Sequence, residues 1–273
     1  MTIFQKSYFW YIFAIIFTLL FAYYQRVTGP TYPKTGDIII ADKSLTYKLL
    51  RSNDSHLPAE ITVKGEVDGV NGYIEYRRFR TNEPWIKELM VNKEGKLIGY
   101  LPPQPPAGKL EYRTYLEYDG KRMSLLPVPV VIRFKGAVPM YVLIPHVIFM
   151  FSAMLFSTRT GIEAMRRGKS VLSLTWITVF LLGVGGLILG PVVQKFAFDA
   201  FWTGWPFGHD LTDNKTLVTF LFWVFALIKV RKSENNRKWV YIAAAVLLIV
   251  FLIPHSMFGS ELDYSTGEIG TGK

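Results

Sequence analysis

Five apolar runs set the terms on which this chain can fold. They cover residues 8–24, 138–157, 171–193, 216–230 and 239–254. A helix that crosses a bilayer needs roughly 17–25 such residues, because in hydrocarbon every backbone N–H and C=O must be paired inside the segment. The second and third runs meet that length outright. The fourth and fifth must borrow residues from their flanks. For those two, a helix buried in a soluble core is the alternative. The basic clusters at one end of each, and the aromatic or Gly/Pro-rich sequence at the other, argue for spans.

Basic residues then orient the chain. Lys6 precedes the first run. Arg159, Arg166, Arg167 and Lys169 lie between the second and third. Lys229, Arg231, Lys232, Arg237 and Lys238 lie between the fourth and fifth. These places alternate as one side of a five-span protein should, and the Lys/Arg-rich side is cytoplasmic. The expectation is a multi-pass protein of the cell inner (cytoplasmic) membrane with its N-terminus inside and its C-terminus outside. The first run ends Phe21-Ala22-Tyr23-Tyr24-Gln25 without a small-x-small cleavage pattern, so it reads as a signal anchor over residues 1–28 rather than a cleaved leader.

Residues 29–137 have a different character. Charges of both signs alternate with apolar residues over 60–67 and 109–116, and further strand candidates lie at 70–79, 85–91, 96–101 and 128–134. Asp68-Gly69, Asn71-Gly72, Glu94-Gly95 and Asp119-Gly120 punctuate them as turns. Short strands at this spacing predict an extracytoplasmic antiparallel β-sandwich of the immunoglobulin or fibronectin type III kind. Pro102-Pro103-Gln104-Pro105-Pro106 is a stiff extended link between two of the strands. The predicted fold class is α+β: a five-helix transmembrane bundle with this β-domain inserted between helices 1 and 2. The four-helix part spans residues 138–273.

The net charge of +10 does not point to nucleic acid, since much of the excess sits in two short loops between apolar runs. With no cysteine, disulfides, Fe–S clusters, thiolate metal sites and lipidation on sulfur are excluded. There is no G-x-S-x-G, P-loop, EF-hand or c-type haem motif.

Histidine is the informative residue. Of four, His146 and His255 each follow Leu-Ile-Pro, one opening an apolar run and one closing another. His209 stands in the aromatic-rich segment 194–215. The topology carries all three to the outer face. In that segment Phe201, Trp202 and Trp205 read as anchors in the lipid headgroup layer, and Phe196 and Phe198 as part of a short piece lying in the interface. Neutral imidazoles converging from different elements suit a transition metal ion such as Zn, Cu or Fe, and haem b ranks after these. Asp210 and Asp213 are further candidate ligands, with Glu261 and Asp263 as alternatives or as partners that orient a histidine. A lone interfacial histidine more commonly bonds only lipid, water or backbone, so the reading rests on the three arriving together.

The first functional expectation is therefore a His/Asp metal or haem site at the outer face, roofed by the β-domain. The second is a non-catalytic scaffold or sensing subunit whose β-domain docks other subunits of a membrane complex. Transport ranks last, because the mid-span positions look apolar.

Overall fold

The computed structural model describes residues 7–40, 42–254, 257 and 259–272. The chain is α+β, with five helices long and apolar enough to cross a membrane and two main β-sheets. Each apolar run is a helix. The first is α1 (Ser7–Thr28) and the second α2 (Met140–Met165). The third runs without a break from α3 (Val171–Leu182) through a π-helical stretch (Gly183–Leu189) into α4 (Gly190–Phe198). The fourth is α5 (Leu211–Lys232). The fifth joins a 3₁₀ turn (Glu234–Arg237) to α6 (Lys238–Leu252). The two short runs do borrow from their flanks, reaching 22 and 19 residues.

Two local expectations change. The third helix continues through Pro191, which takes one of the first two positions of α4. The turns before it are π-wound, and a wider turn relieves the contact between a proline ring and the carbonyl four residues back. Phe196 and Phe198 therefore belong to the end of this long helix, which closes at left-handed Asp199, and not to a separate interfacial piece. Arg159 is not in a loop. It lies inside α2, 2% exposed, with its guanidinium 2.7 Å from Glu163 one turn on.

Close packing in the bundle depends on small residues. A Cβ on Gly161 of α2 would lie 2.9 Å from Ala244 of α6. In the π-helical stretch, a Cβ on Gly185 would meet Phe149 of α2 at 2.9 Å, and one on Gly186 would meet Thr216 of α5 at 2.6 Å. Small-residue faces of this kind let helix backbones approach where no hydrophobic force drives them together. Trp223 fills the centre, fully buried.

Between α1 and α2 lie two sheets around one core. The first runs β1 (Lys34–Ile40), β2 (Lys43–Leu49), β4 (Ala59–Gly65), β8 (Lys96–Leu101), β7 (Val91–Lys93) in spatial order, all antiparallel. The second runs β3 (Ser52–Asp54), β11 (Val130–Lys135), β9 (Lys109–Tyr118), β5 (Asn71–Arg78), β6 (Ile86–Leu89), with β10 (Lys121–Ser124) folded back on β9. One pair, β3 with β11, is parallel, so the second sheet is mixed rather than wholly antiparallel. Leu45, Ile61, Val63 and Leu97 of one sheet and Ile74, Tyr112, Ile132 and Phe134 of the other share the core. Asp119-Gly120 and Glu94-Gly95 both have positive φ at each position, the conformation that two-residue hairpin turns require. Asn71-Gly72 is not a turn. It opens β5 and pairs with Glu117 and Leu116.

The chain's last stretch returns to this domain. A hairpin of β12 (Ser260–Leu262) and β13 (Ile269–Thr271) docks through Leu262 N–H to the Ala107 carbonyl (3.0 Å). The Tyr264 hydroxyl donates to Gln104 Oε1 (2.9 Å) in the proline-rich link. The same hairpin holds the 199–210 segment, where His209 N–H donates to Thr271 Oγ1 (2.9 Å). Gly136 N–H bonds the Ala197 carbonyl at 2.8 Å, tying the domain's exit to the end of α4.

Candidate functional site

The end of the bundle beneath the β-domain is where polar side chains enter the helices. Its geometry begins with the π-helical stretch. An i+5 bond from Gly190 N–H to the Gly185 carbonyl is one of its rungs. The same carbonyl lies 2.9 Å from His146 Nδ1 on α2. A carbonyl only accepts, so Nδ1 carries the proton and Nε2 of the neutral ring is left as an acceptor. Among the described residues Nε2 has no hydrogen-bond partner. Pro145 beside it lies inside α2 and supplies no backbone N–H to the first turns.

Asp210 organises the opposite wall. It is the N-cap of α5, accepting from Thr212 N–H (2.8 Å) and Asp213 N–H (3.5 Å), as a carboxylate at that position does. The other Asp210 oxygen accepts from Thr203 Oγ1 (3.1 Å) and Ser260 Oγ (3.4 Å). Asp213 accepts from Thr203 N–H (2.7 Å) and from Gln194 Nε2 (3.2 Å). All five side chains of this network are buried. It joins α4, the 199–210 segment, α5 and the tail hairpin, each of which would otherwise carry an unpaired buried polar group.

Next to this network is a cavity of about 440 Å³, and every one of the five long helices contributes to its wall. Its apolar lining comes from Ala22 of α1, Leu143, Val147 and Phe151 of α2, and Val250 and Phe251 of α6. Its ionisable lining residues are His146, Asp210, Asp213, Lys215 and Arg26 of α1. Lys215 Nζ donates to the Ile253 carbonyl at 3.0 Å, beyond the end of α6. That carbonyl is free because Ile253 is extended, the conformation that a following proline imposes.

Of the sequence candidates, His146, Asp210 and Asp213 thus line one cavity. His209 is exposed in the 199–210 segment. His255 lies outside the described residues. Glu261 is committed to ion pairs with Lys109 and with Arg80 (3.3 Å). Asp263 is exposed and accepts from Ser265 N–H at 2.8 Å within its own turn. Among the described residues no three His, Asp or Glu side chains form a group that could hold a metal ion. Phe201 and Trp205 are exposed, and Trp202, half-buried, donates its indole N–H to the Trp205 carbonyl (3.1 Å).

Sequence reasoning missed Gln194, Thr203, Lys215, Arg26 and Ser260. Gln194 and Lys215 were legible in principle, as polar residues at the ends of apolar runs. Thr203 and Ser260 are ordinary loop residues until the tail docks. No protein-family model, curated protein or solved structure matches the chain.

Proposed function

We propose that this is a multi-pass membrane protein whose outer end binds an amphiphilic small molecule, its apolar part between the helices and its polar part against Asp210, Lys215 and His146. The cavity that all five long helices wall carries this reading. Its lining is mostly apolar, with a few convergent ionisable groups, the usual composition of a ligand site. Five long apolar helices support insertion, as do the basic residues gathered at the bundle end opposite the cavity, among them Arg166, Arg167, Lys232 and Lys238. With the basic end taken as cytoplasmic, the β-domain lies outside the cell's inner membrane on this reading. The domain's two-sheet form is taken as an immunoglobulin- or fibronectin-like sandwich, which by itself carries no function.

The test is extraction of the purified protein with organic solvent and mass spectrometry of what is released. A stoichiometric amphiphile is expected from the wild type and not from Leu143→Trp or Val193→Trp, which fill the cavity. Equal recovery from all three, or none from the wild type, overturns the reading.

A second reading rests on His146. Its Nδ1 is held by a backbone carbonyl and its Nε2 is unpartnered, the arrangement that orients a ligating imidazole. Haem b, needing only axial ligands, fits a cavity with one histidine among its described lining residues better than a metal ion needing three or four protein ligands does. A visible haem spectrum lost in His146→Ala supports it.

A further inference from the structure

A second cleft, of about 280 Å³, lies where the tail hairpin covers the second sheet, and its chemistry is different. Four cations line it, Arg51, Arg80, Lys109 and Arg133, against a single carboxylate, Glu261. The strand register forces this crowding. Lys109 of β9 and Arg133 of β11 are directly opposed in the ladder, and Arg133 N–H bonds the Arg51 carbonyl (3.1 Å), so Arg51 lies at the same level. Like charges directly opposed across a sheet are destabilising.

Glu261 answers only part of this. It pairs with Lys109 and Arg80. Arg51 and Arg133 have no carboxylate within ion-pair distance among the described residues. The Nη1 of Arg133 is buried without a hydrogen-bond partner among them, a costly state for a guanidinium. Lys109 is 8% exposed. Burial, then the neighbouring Arg133, pulls its pKa below the usual lysine range even with Glu261 beside it. Burial lowers that of Arg133 as well. Donors in excess of acceptors, a buried lysine and two half-buried guanidinium forks among them, match a tetrahedral oxyanion.

We infer that this cleft binds a phosphate group between Arg51, Arg133 and Lys109. Thr31 lines both this cleft and the larger cavity, and Ser260 of the cavity precedes Glu261 of the cleft in β12. The phosphate therefore belongs to the polar head of the amphiphile proposed above, and on that point the inference rests on the earlier reading. The cleft's affinity for phosphate does not.

The test uses full-length protein in detergent and in lipid nanodiscs. Thermal unfolding is followed with inorganic phosphate against chloride at matched ionic strength, and native mass spectrometry compares phosphatidic acid with an uncharged diacylglycerol. Phosphate at tenfold its Kd should raise the wild-type Tm by about 2–4 °C. Arg51→Gln and Arg133→Gln should each weaken binding about 10- to 100-fold, while Lys121→Gln, at an exposed site on β10, leaves it unchanged. Without phosphate, Arg133→Gln should unfold no earlier than wild type, because it removes a repelling cation; a purely structural arginine would destabilise with and without the ligand alike. Should Arg133→Gln fail to fold, Arg51→Gln carries the test.

Loss of phosphatidic acid in Leu143→Trp with the inorganic phosphate shift intact joins cleft to cavity. Phosphatidic acid held equally by that variant keeps the phosphate site and removes the amphiphile cavity. Arginine-dependent stabilisation by free phosphate, with no preference for phosphatidic acid, identifies a soluble phosphate as the ligand. No arginine-dependent response to either source overturns the site.

Discussion

The two ends of the helix bundle both bury charge, and they do it in opposite ways. At the end bearing the basic loops, Arg159 and Glu163 sit one turn apart on α2, with side chains 2% and 9% exposed. Arg159 Nη2 also donates to Ser7 Oγ (3.1 Å) and stacks over Tyr11, and Glu163 accepts from Ser170 N–H (3.3 Å). Charge is matched one for one and helix α1 closes over it. At the β-domain end, Asp210, Asp213, Lys215 and Arg26 stand around a cavity, and the carboxylates are held by neutral hydroxyls and amides rather than by cations. A closed pair has no capacity for a ligand. A wall of oriented polar groups beside an open volume does, and its cost in stability is the usual mark of a site built for something else.

The sharpest way to break this contrast is to cut the closed pair. Glu163→Gln leaves Arg159 buried without its counter-charge and should cost about 3–5 kcal/mol, read as a lower unfolding midpoint in detergent. Replacing both together, Arg159→Met with Glu163→Leu, should be near neutral, since the pair's attraction barely repays its desolvation. Neither change should alter ligand recovery. If Glu163→Gln folds normally but releases the ligand, the two ends are not separate in the way their geometry implies.

Asp210→Ala comes next. It removes a helix cap and leaves two buried hydroxyls, Thr203 and Ser260, short of an acceptor, for about 2–3 kcal/mol. Asp210→Asn keeps the cap and should recover about half of that. A loss of ligand in Asp210→Asn that exceeds its loss of stability would show that the carboxylate's charge serves the bound molecule and not only the fold. His146→Phe is smaller still: one hydrogen bond to the Gly185 carbonyl, about 1 kcal/mol, measured against the change in ligand retention or haem colour.

How far the sequence could reach follows the same division. The helices were legible because an apolar run of spanning length has few alternatives, and the strands 59–65, 71–78, 96–101 and 109–118 because alternation shows which face is inside. β1 was not, since Ile38-Ile39-Ile40 breaks alternation and Ile39 is 69% exposed on an edge. At the site, His146, Asp210 and Asp213 could be brought together from topology alone, because each lies at the same end of its span. The network that fixes them could not. Thr203 and Ser260 meet only when the tail hairpin folds back, and the Lys109–Arg133 opposition exists only in the strand register. Arg159 was misplaced for the converse reason: a cation between two apolar runs looks like a loop until its partner one turn away is recognised.

The smallest expected effect separates the readings most cheaply. His209 is exposed, and it is its backbone N–H that bonds Thr271. His209→Ala should therefore change stability by no more than about 0.5 kcal/mol and leave ligand recovery untouched, whereas His146→Ala should not. Had three imidazoles shared a metal, the two substitutions would behave alike, each releasing it. Elemental analysis of the two variants beside wild type measures this directly, and a metal lost equally from both would restore the three-histidine centre in place of the amphiphile cavity.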